Sequence, residues 1–208
     1  MESERLAILN ENGERLGVAS RSEVHKKGYW HETFHCWLAY YDAIKLDSFI
    51  YFQLRSREKK DFPGLLDITA AGHILSHEKI EDGVREVHEE LGVMVPFEHL
   101  QPMGMVKGEL VQEGLVDREL SHVFLYSVPI SYEEFQPDPL EVAGIFRTAL
   151  VDFKSLIQGE TTEIELEGFM LKNDGEREYK RYKAGYRHFV PHKRSYLLEI
   201  INRISAHL

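Results

Sequence analysis

Cysteine is nearly absent from this sequence, since Cys36 is the only one among 208 residues. A single thiol excludes an intramolecular disulfide and fits a reducing compartment. Long apolar runs are absent as well, because none approaches the roughly 20 residues that a membrane-spanning helix needs. The first ten residues, MESERLAILN, lack the pattern of a signal peptide. These absences predict a cytoplasmic protein that does not insert into a membrane.

Positive charge is also scarce. The chain has 25 lysines and arginines against 35 acidic residues, which gives a net charge of −10. This balance argues against nonspecific binding of nucleic acid. An acidic protein that acts on polyphosphates would need metal ions and local basic residues to hold them. Because 43% of the residues are hydrophobic and 29% are charged, the composition fits one globular domain with extensions.

A helix is predicted over residues 80–91. Apolar side chains recur there at spacings of four, three and four, which places one stripe toward a core: Ile80, Val84, Val87 and Leu91. Gly92 follows and suits the left-handed residue that ends many helices. Gly83 lies inside the stretch, where glycine costs about 1 kcal/mol relative to alanine. Close approach of another backbone would explain this glycine, and so would a tolerated irregularity.

Three carboxylates share one edge of this helix. Glu86 and Glu90 lie within roughly 40° of each other, and Glu89 lies about 60° to the other side of Glu86. Like charges at this spacing destabilise a helix unless a cation neutralises them. Mg²⁺ binds carboxylate oxygens together with the phosphate oxygens of a substrate. The edge is therefore a candidate site for Mg²⁺ or Mn²⁺, with a solvated acidic face as the alternative for the E-x-x-E-E pattern alone.

A longer pattern surrounds these carboxylates and resembles the Nudix box, G-x5-E-x7-R-E-U-x-E-E-x-G-U, in which U is aliphatic. The matching residues are Gly72, Glu78, Arg85, Glu86, Val87, Glu89, Glu90, Gly92 and Val93. One departure is that six residues, not seven, separate Glu78 from Arg85. The resemblance implies an α/β Nudix fold, a mixed β-sheet sandwiched between helices. It also implies metal-dependent hydrolysis of a diphosphate linkage, with Arg85 orienting a box glutamate.

Segments around the box look like the branch of this superfamily that is related to isopentenyl-diphosphate isomerase, over roughly residues 25 to 150: HETFHCWL, RSREKKDFPGLLD, AGH and LVDRELSHVF. The resemblance implies a second metal site for a transition-metal ion, on these positions: His25, His31, His73, Asp117 and Glu119. It also implies that Arg55 and Lys59 hold the substrate diphosphate. The catalytic cysteine of the isomerases falls on Ala71, which favours hydrolysis over isomerisation, and Cys36 is interpreted as a small buried hydrophobe.

The predicted mechanism is an in-line displacement by water on a diphosphate held by Mg²⁺, with Glu86 and Glu90 as ligands and Glu89 assisting. The general base stays open among four carboxylates: Glu89, Glu90, Glu119 and Glu141. A diphosphate-binding module with weak or no activity is the alternative from another class, and an isomerase-like enzyme is a third. Nucleoside diphosphate, thiamine diphosphate and isoprenoid diphosphate compounds all present the same group, so the small-molecule substrate stays open too.

Three regions are expected along the chain. Residues 1–29 form a strand hairpin and a loop, residues 30–160 form the catalytic core, and residues 161–208 form a hairpin and a helix opened by Pro191. The loop after the first hairpin is expected over residues 24–31. An apolar stripe on that helix packs on the core or on a partner subunit, which leaves a homodimer possible: Leu197, Ile200, Ile201, Ile204 and Leu208. Strands are expected at 5–9, 15–20, 33–41, 48–55, 65–70, 101–107, 115–117, 122–128, 142–148, 164–171 and 177–182.

Overall fold

The computed structural model describes residues 4–112, 115–172 and 174–208. Within these residues the strands are β1 (Arg5–Leu9), β2 (Arg15–Ser20), β3 (Trp30–Asp42), β4 (Asp47–Arg55), β5 (Leu66–Asp67), β6 (Ala70–His73), β7 (Gln101–Gln112), β8 (Leu115–Tyr126), β9 (Val142–Ala149), β10 (Ile164–Leu171) and β11 (Arg177–Ala184). The α-helices of the same residues are α1 (Arg21–Lys27), α2 (Arg85–Leu91), α3 (Leu150–Gln158) and α4 (Arg194–His207). None of the described helices combines the length and the apolarity that crossing a bilayer requires.

The long strand β3 organises a mixed sheet. Its first half pairs in parallel with β8, from Trp30 opposite Arg118 to Leu38 opposite Tyr126. On its other side the same half pairs antiparallel with β6, and its second half pairs antiparallel with β4. The sheet continues from β4 through β9 and β10 to β11. Because β3 pairs with β4, β6 and β8, its side chains lie next to three other strands of the sheet.

Alternation along β3 separates the two faces of the sheet, because successive side chains of a strand point to opposite sides. Phe34, Cys36 and Leu38 pack in the core that α2 covers. Trp37 and Ala39 pack in the core that α3 and α4 cover. Helices therefore lie on both faces, and the predicted α/β/α arrangement is confirmed. The expected burial of Cys36 is confirmed as well, with none of its surface exposed.

The prediction of a loop over residues 24–31 was wrong, since α1 (Arg21–Lys27) occupies its first half and β3 (Trp30–Asp42) its last two residues. The Ser20 hydroxyl accepts a hydrogen bond from the backbone N–H of Glu23 at 3.3 Å, which caps the start of the helix. Gly28 ends it at a φ of 64°, in the left-handed region. These capping signals flank His25, whereas His31 lies after Gly28 on β3. As a result, His25 is held on a helix and lies largely buried.

The predicted helix at 80–91 is α-helical only from Arg85 to Leu91, and Ile80–Val84 is a 3-10 helix. Gly92 ends it at a φ of 68°, as predicted. A Cβ at Gly83 would lie 2.7 Å from atoms of the Phe34 and Ile74 side chains. Close approach is therefore the reason for this glycine, although side chains and not a backbone make the approach.

Several other boundaries differ from the predictions. The expected strand at 65–70 is two short strands, β5 and β6, and the separate strands at 115–117 and 122–128 form one continuous strand, β8. The last helix begins at Arg194, after Lys193, and not at Pro191. The hairpin of β10 and β11 is confirmed by their antiparallel pairing, while Asn173 at its predicted turn lies outside the described residues.

The apolar stripe of the last helix packs on the core of its own chain. Leu197, Ile200, Ile201 and Ile204 are at most 3% exposed, and they join the cluster that contains Trp37. Helix α4 also contacts α3 and β7. The stripe is thus used within the chain, and a dimer would need another surface.

Candidate active site

A cavity of about 480 Å³ opens between β4, β6, α2 and the loops beside them. Its lining combines acids of the box with basic residues and histidines from distant parts of the chain. The residues named from the sequence that line it are His25, Arg55, Lys59, His73, Arg85, Glu86, Glu89, Glu90, Asp117 and Glu141. Glu119 lies behind this cavity and lines a smaller one, of about 80 Å³. The fold therefore collects most of the predicted site residues around one space.

Gly72 leaves room for the carboxyl group of Glu86. A Cβ on this glycine would lie between 2.1 and 2.4 Å from the carboxyl atoms of Glu86, which is less than any real contact allows. Gly72, the first glycine of the box, is thus required because the Glu86 side chain from the helix of the same box occupies the space of a Cβ. Helix α2 is pressed against β6, and a side chain on Gly72 would displace the acid from the cavity.

Glu90 is held in a fixed orientation inside the protein. Its Oε2 atom accepts hydrogen bonds from Gln53 Nε2 at 2.9 Å and from the backbone N–H of Ala71 at 3.0 Å. Burial and the charge of Glu86 raise the pKa of Glu90 to about 8. Burial also raises the pKa of Glu86 to about 7, although Arg85 opposes the rise. A buried and a half-buried carboxyl, both with raised pKa values, fit a site for a cation, because a bound cation stabilises their charged forms.

Arg85 places its guanidinium at the centre of the box. It donates to Glu78 at 2.7 and 3.1 Å, to Glu86 at 2.6 Å and to Glu89 at 3.0 Å. It also donates to the backbone carbonyl of His73 at 3.0 Å. These contacts engage all five N–H groups of an arginine. Arg85 therefore joins the acids of the box to β6, and Glu78 reaches it despite the shorter spacing in the sequence.

Three histidines from three elements meet beside the box. His25 of α1, His31 of β3 and His73 of β6 have ring centroids 5.2 to 5.3 Å apart. The Nε2 atoms of His25 and His73 are 3.3 Å apart. Burial lowers the pKa of all three, to about 4 for His25, and neighbouring imidazoles lower it further for His25 and His73. Each imidazole is therefore neutral at neutral pH, which is the form that ligates metals.

Two carboxylates complete this cluster. Asp117 Oδ1 lies 3.3 Å from His31 Nε2 and 3.6 Å from His25 Nε2, and Glu119 stands opposite His31 in the pairing of β8 with β3. Burial and the charge of Glu119 raise the pKa of Asp117. His31 Nε2 and Asp117 Oδ1 are buried without a hydrogen-bond partner. Unpaired buried atoms of metal-ligating residues fit a transition-metal ion in this position.

Arg55 and Lys59 both line the cavity, but each already has protein partners. Arg55 donates to Asp67 Oδ2 at 3.0 Å and to the backbone carbonyl of Asp61 at 2.9 and 3.2 Å. Lys59 pairs with the carboxylate of Glu141. Arg55 thus holds the loop that carries Lys59, in addition to presenting positive charge to the cavity.

Sequence comparison assigns this arrangement to a family. The pattern of the NUDIX domain matches residues 43–168, more than half of the chain. The chain belongs to the Nudix family. Nudix hydrolases act on pyrophosphate bonds, and this protein is a hydrolase of that class. The prediction made from the box is confirmed at this level.

Relatives of this Nudix hydrolase extend over most of its length. An uncharacterised Nudix hydrolase of Clostridium acetobutylicum is 38% identical over 197 residues, which is 94% of this chain and 94% of that protein. An isopentenyl-diphosphate Delta-isomerase of Saccharopolyspora erythraea is 26% identical, over 77% of this chain and 80% of that protein. A crystal structure from Deinococcus radiodurans has a TM-score of 0.56 at 19% identity, over 75% of this chain and 90% of that chain. This last similarity supports the fold alone.

Sequence reasoning missed several polar residues of this Nudix site. Gln53 on β4 fixes Glu90, and Asp67 on β5 holds Arg55. His192, from the C-terminal part of the chain, donates to Asp67 at 2.8 Å. These residues belong to no motif, and their side chains meet the site only because strands β4 and β5 and the C-terminal part of the chain pack together. A pattern read along the sequence carried no signal for them.

Proposed function

We propose that this Nudix protein hydrolyses a diphosphate linkage in a small organic or nucleoside diphosphate compound and requires Mg²⁺ or Mn²⁺. The observation that carries the proposal is the pair of carboxyls formed by the half-buried Glu86 and the buried Glu90, in a cavity also lined by Arg55 and Lys59. Adjacent acids favour a divalent cation, and nearby positive charge favours phosphate oxygens. A diphosphate is a ligand that meets both demands.

Each residue of the site has a role in this mechanism. Glu86 and Glu90, with Glu89 at the exposed edge, would hold the ion, which supplies charge neutralisation and lowers the pKa of water. Arg55 and Lys59 bind the oxygens of the diphosphate. A water oxygen forms a bond to one phosphorus while the bridging P–O bond breaks, and two phosphate-terminated products leave. Among the base candidates, Glu89, Glu90 and Glu141 line the main cavity, whereas Glu119 lies behind it.

The cluster of His25, His31 and His73 adds a second part to the proposal. Together with Asp117 and Glu119 it binds one transition-metal ion, Zn²⁺, Mn²⁺ or Fe²⁺, for which imidazole and carboxylate are suitable ligands. Elemental analysis of the purified protein should find up to one equivalent of such a metal. In the variant His73→Ala this metal should be lost while the Mg²⁺ requirement persists. Wild-type protein without any bound transition metal, even after incubation with Zn²⁺, would refute this part.

Isomerisation of an isopentenyl-type diphosphate is disfavoured by the position of the thiol. Ala71 lines the cavity at the place expected for a catalytic cysteine. Cys36, the only cysteine of the sequence, is fully buried, and burial raises the pKa of its thiol. A buried neutral thiol cannot transfer a proton to a substrate in the cavity.

The proposal is tested with a panel of nucleoside diphosphate, thiamine diphosphate and isoprenoid diphosphate compounds. At least one should release a monophosphate with Mg²⁺ or Mn²⁺ present and none should do so in excess chelator. Glu90→Gln should lower kcat/KM by a factor of about 100 or more, because it removes a charged ligand at nearly constant shape. The matched change Glu98→Gln, at an exposed residue outside the cavity, should leave the rate unchanged.

Two results would contradict this function. Full activity in excess chelator would show that the acids do not work through a metal. Tight binding of a diphosphate without turnover, whichever metal is added, would favour the diphosphate-binding module.

A further inference from the structure

The C-terminal segment, defined as residues 186–208, is docked beside the site by its backbone. The Val190 N–H donates to the carbonyl of Leu66 on β5 at 2.8 Å, and Leu66 also forms a parallel bridge with Phe189. The Tyr186 hydroxyl donates to the carbonyl of His192 at 2.7 Å. The match to the NUDIX domain ends at residue 168, so none of this segment belongs to it. Two of its polar side chains nevertheless point toward the site.

The first of these side chains, His192, is linked to Arg55 at the end of β4. His192 Nε2 donates to Asp67 Oδ1 at 2.8 Å, and Asp67 Oδ2 accepts from Arg55 Nη1 at 3.0 Å. Asp67 is 8% exposed, so few water molecules can replace either partner. Asp67 Oδ1 also accepts from the Ile68 N–H at 2.9 Å, and Arg55 also donates to the Asp61 carbonyl. His192 therefore contributes to the direction of the Arg55 guanidinium through Asp67, together with these contacts.

The second side chain leads to the histidine cluster. The Tyr196 hydroxyl lies 2.9 Å from His35 Nδ1, and His35 Nε2 lies 3.3 Å from Glu119 Oε2. The Glu119 carboxylate beside Nε2 can only accept, so the ring N–H of His35 lies on Nε2 and the Tyr196 hydroxyl donates a hydrogen bond to Nδ1. Nε2 of His35 lies 3.3 Å from Glu119 Oε2 and 3.3 Å from Thr33 Oγ1, so its N–H faces both acceptors. Tyr196 thereby favours the tautomer of His35 that orients Glu119.

We propose that His192 and Tyr196 are positioning residues of the Nudix site, and that the C-terminal segment completes it from outside the residues that match the NUDIX domain. Tyr196 orients the metal-binding carboxylate Glu119 through His35, and His192 orients the phosphate-binding Arg55 through Asp67. The inference rests on the proposed function. Removing a residue that orients a metal ligand typically changes metal affinity by 10- to 100-fold.

The positioning role of Tyr196 is tested by the affinity of the protein for Zn²⁺, measured in competition with a chromophoric chelator. Tyr196→Phe keeps the ring in the core and removes only the hydroxyl, and the dissociation constant for Zn²⁺ should rise roughly tenfold. Tyr51→Phe is the matched control. Its hydroxyl is also buried and donates to a carbonyl, that of Ile130, at 2.7 Å, but far from the cluster. Tyr51→Phe should bind Zn²⁺ as the wild type does.

The positioning role of His192 is tested by measuring the binding of inorganic pyrophosphate in the presence of Mg²⁺ by calorimetry. His192→Leu removes the donor to Asp67, and the dissociation constant should rise roughly tenfold as Arg55 loses its orientation. His192→Gln keeps an N–H donor at a similar reach and should restore most of the affinity. A merely structural loss would not be rescued by an amide of different shape.

The outcomes separate this inference from the proposed function. If the wild type binds Zn²⁺ and pyrophosphate while Tyr196→Phe and His192→Leu bind them equally well, the positioning roles are refuted and the proposed function stands. Equal losses of Zn²⁺ affinity in Tyr196→Phe and Tyr51→Phe would also refute the role of Tyr196. If the wild type itself binds neither ligand, the proposed sites and the inference fail together.

Discussion

At the scale of single residues, the site depends on how closely β6 approaches α2. Gly72 and Glu86 belong to one motif, and the structure shows that the side chain of one occupies the space left by the other. The acid reaches the cavity because its neighbour has no Cβ. Many glycines in proteins allow a backbone conformation that other residues rarely adopt. Gly72 instead leaves room for the carboxyl group of Glu86.

We expect Gly72→Ala to lower kcat/KM by a factor of ten or more, because the new methyl group displaces Glu86 from the cavity. The comparison is Gly17→Ala, where a Cβ meets only an ordinary 3.6 Å contact with Ile8 and activity should be unchanged. Steady-state kinetics of both variants provide the measurement. Wild-type kinetics in Gly72→Ala would show that Glu86 is not needed at its present position.

Asp67 is a second residue with an unusual environment, since it is buried between two nitrogen donors. Although burial opposes its charge, the hydrogen bond from His192 and the charge of Arg55 lower the pKa of Asp67 to about 2, from a reference of 3.8. A carboxyl with a lowered pKa stabilises the folded state at every pH above its unfolded-state pKa. That contribution is lost as the pH falls through the folded-state pKa.

Asp67→Asn should therefore reduce the free energy of unfolding by about 2 kcal/mol at pH 7. The difference from the wild type should persist down to about pH 4 and then narrow toward pH 3. It narrows because the Asp67 carboxyl takes up a proton in the unfolded wild type while it is still charged in the folded state. Urea unfolding of both proteins at pH 7, 4 and 3 measures it. A difference that stays constant over this range would mean that the charge of Asp67 does not stabilise the fold.

At the scale of elements, the turn before α2 accounts for the shortened box. A 3-10 helix rises about 2.0 Å per residue and an α-helix about 1.5 Å. The five residues Ile80–Val84 therefore span more length than they would as an α-helix. Glu78 can then reach Arg85 at 2.7 Å with one residue fewer between them.

Gly83 in this turn should not tolerate a side chain. Alanine is the better helix former by about 1 kcal/mol, but its Cβ would lie 2.7 Å from Phe34 and Ile74. We expect Gly83→Ala to lower the free energy of unfolding by about 1 to 3 kcal/mol through overpacking. Adding Ile74→Val removes the methyl group that is in contact and should recover part of the loss in urea unfolding. Stabilisation by Gly83→Ala would instead support a tolerated irregularity.

At the scale of the whole molecule, α4 closes one face of the sheet. Its apolar stripe lies in the same core as α3 and the central strands. The proposed positioning residues lie at its start, since His192 precedes the helix and Tyr196 lies in its first turn. Stability and catalysis therefore share the C-terminal part of the chain. Loss of this segment would expose the core and leave Asp67 and His35 without their partners.

Ile204→Ala should lower the free energy of unfolding by about 2 to 5 kcal/mol, since the side chain is fully buried and its removal leaves a cavity. Val151→Ala, at a residue that is 58% exposed, should change it by about 0.5 kcal/mol or less. Urea unfolding compares the two variants. Sedimentation should show the same oligomeric state in both, and a change of state in Ile204→Ala alone would mean that the stripe also serves a subunit interface.

The sequence by itself determined the parts of this protein that depend on near neighbours along the chain. The acidic edge of Glu86, Glu89 and Glu90 follows from the helical repeat, and so does the buried stripe of the last helix. The box also identified the family, because its residues lie within one continuous stretch. Helix α1 was missed although Ser20 and Gly28 signal its two ends, because the stretch that carries His25 and His31 was interpreted as a loop.

Only the tertiary structure decided which distant side chains meet. The resemblance to a family named His25, His31 and His73, but helix and strand packing brought their rings to within 5.3 Å. Gln53, Asp67 and His192 could not be found from the sequence, because a hydrogen bond between residues 37 or 125 positions apart leaves no periodic trace. Local patterns arise from the geometry of a single helix or strand, whereas these contacts depend on how the sheet and the C-terminal segment pack in three dimensions.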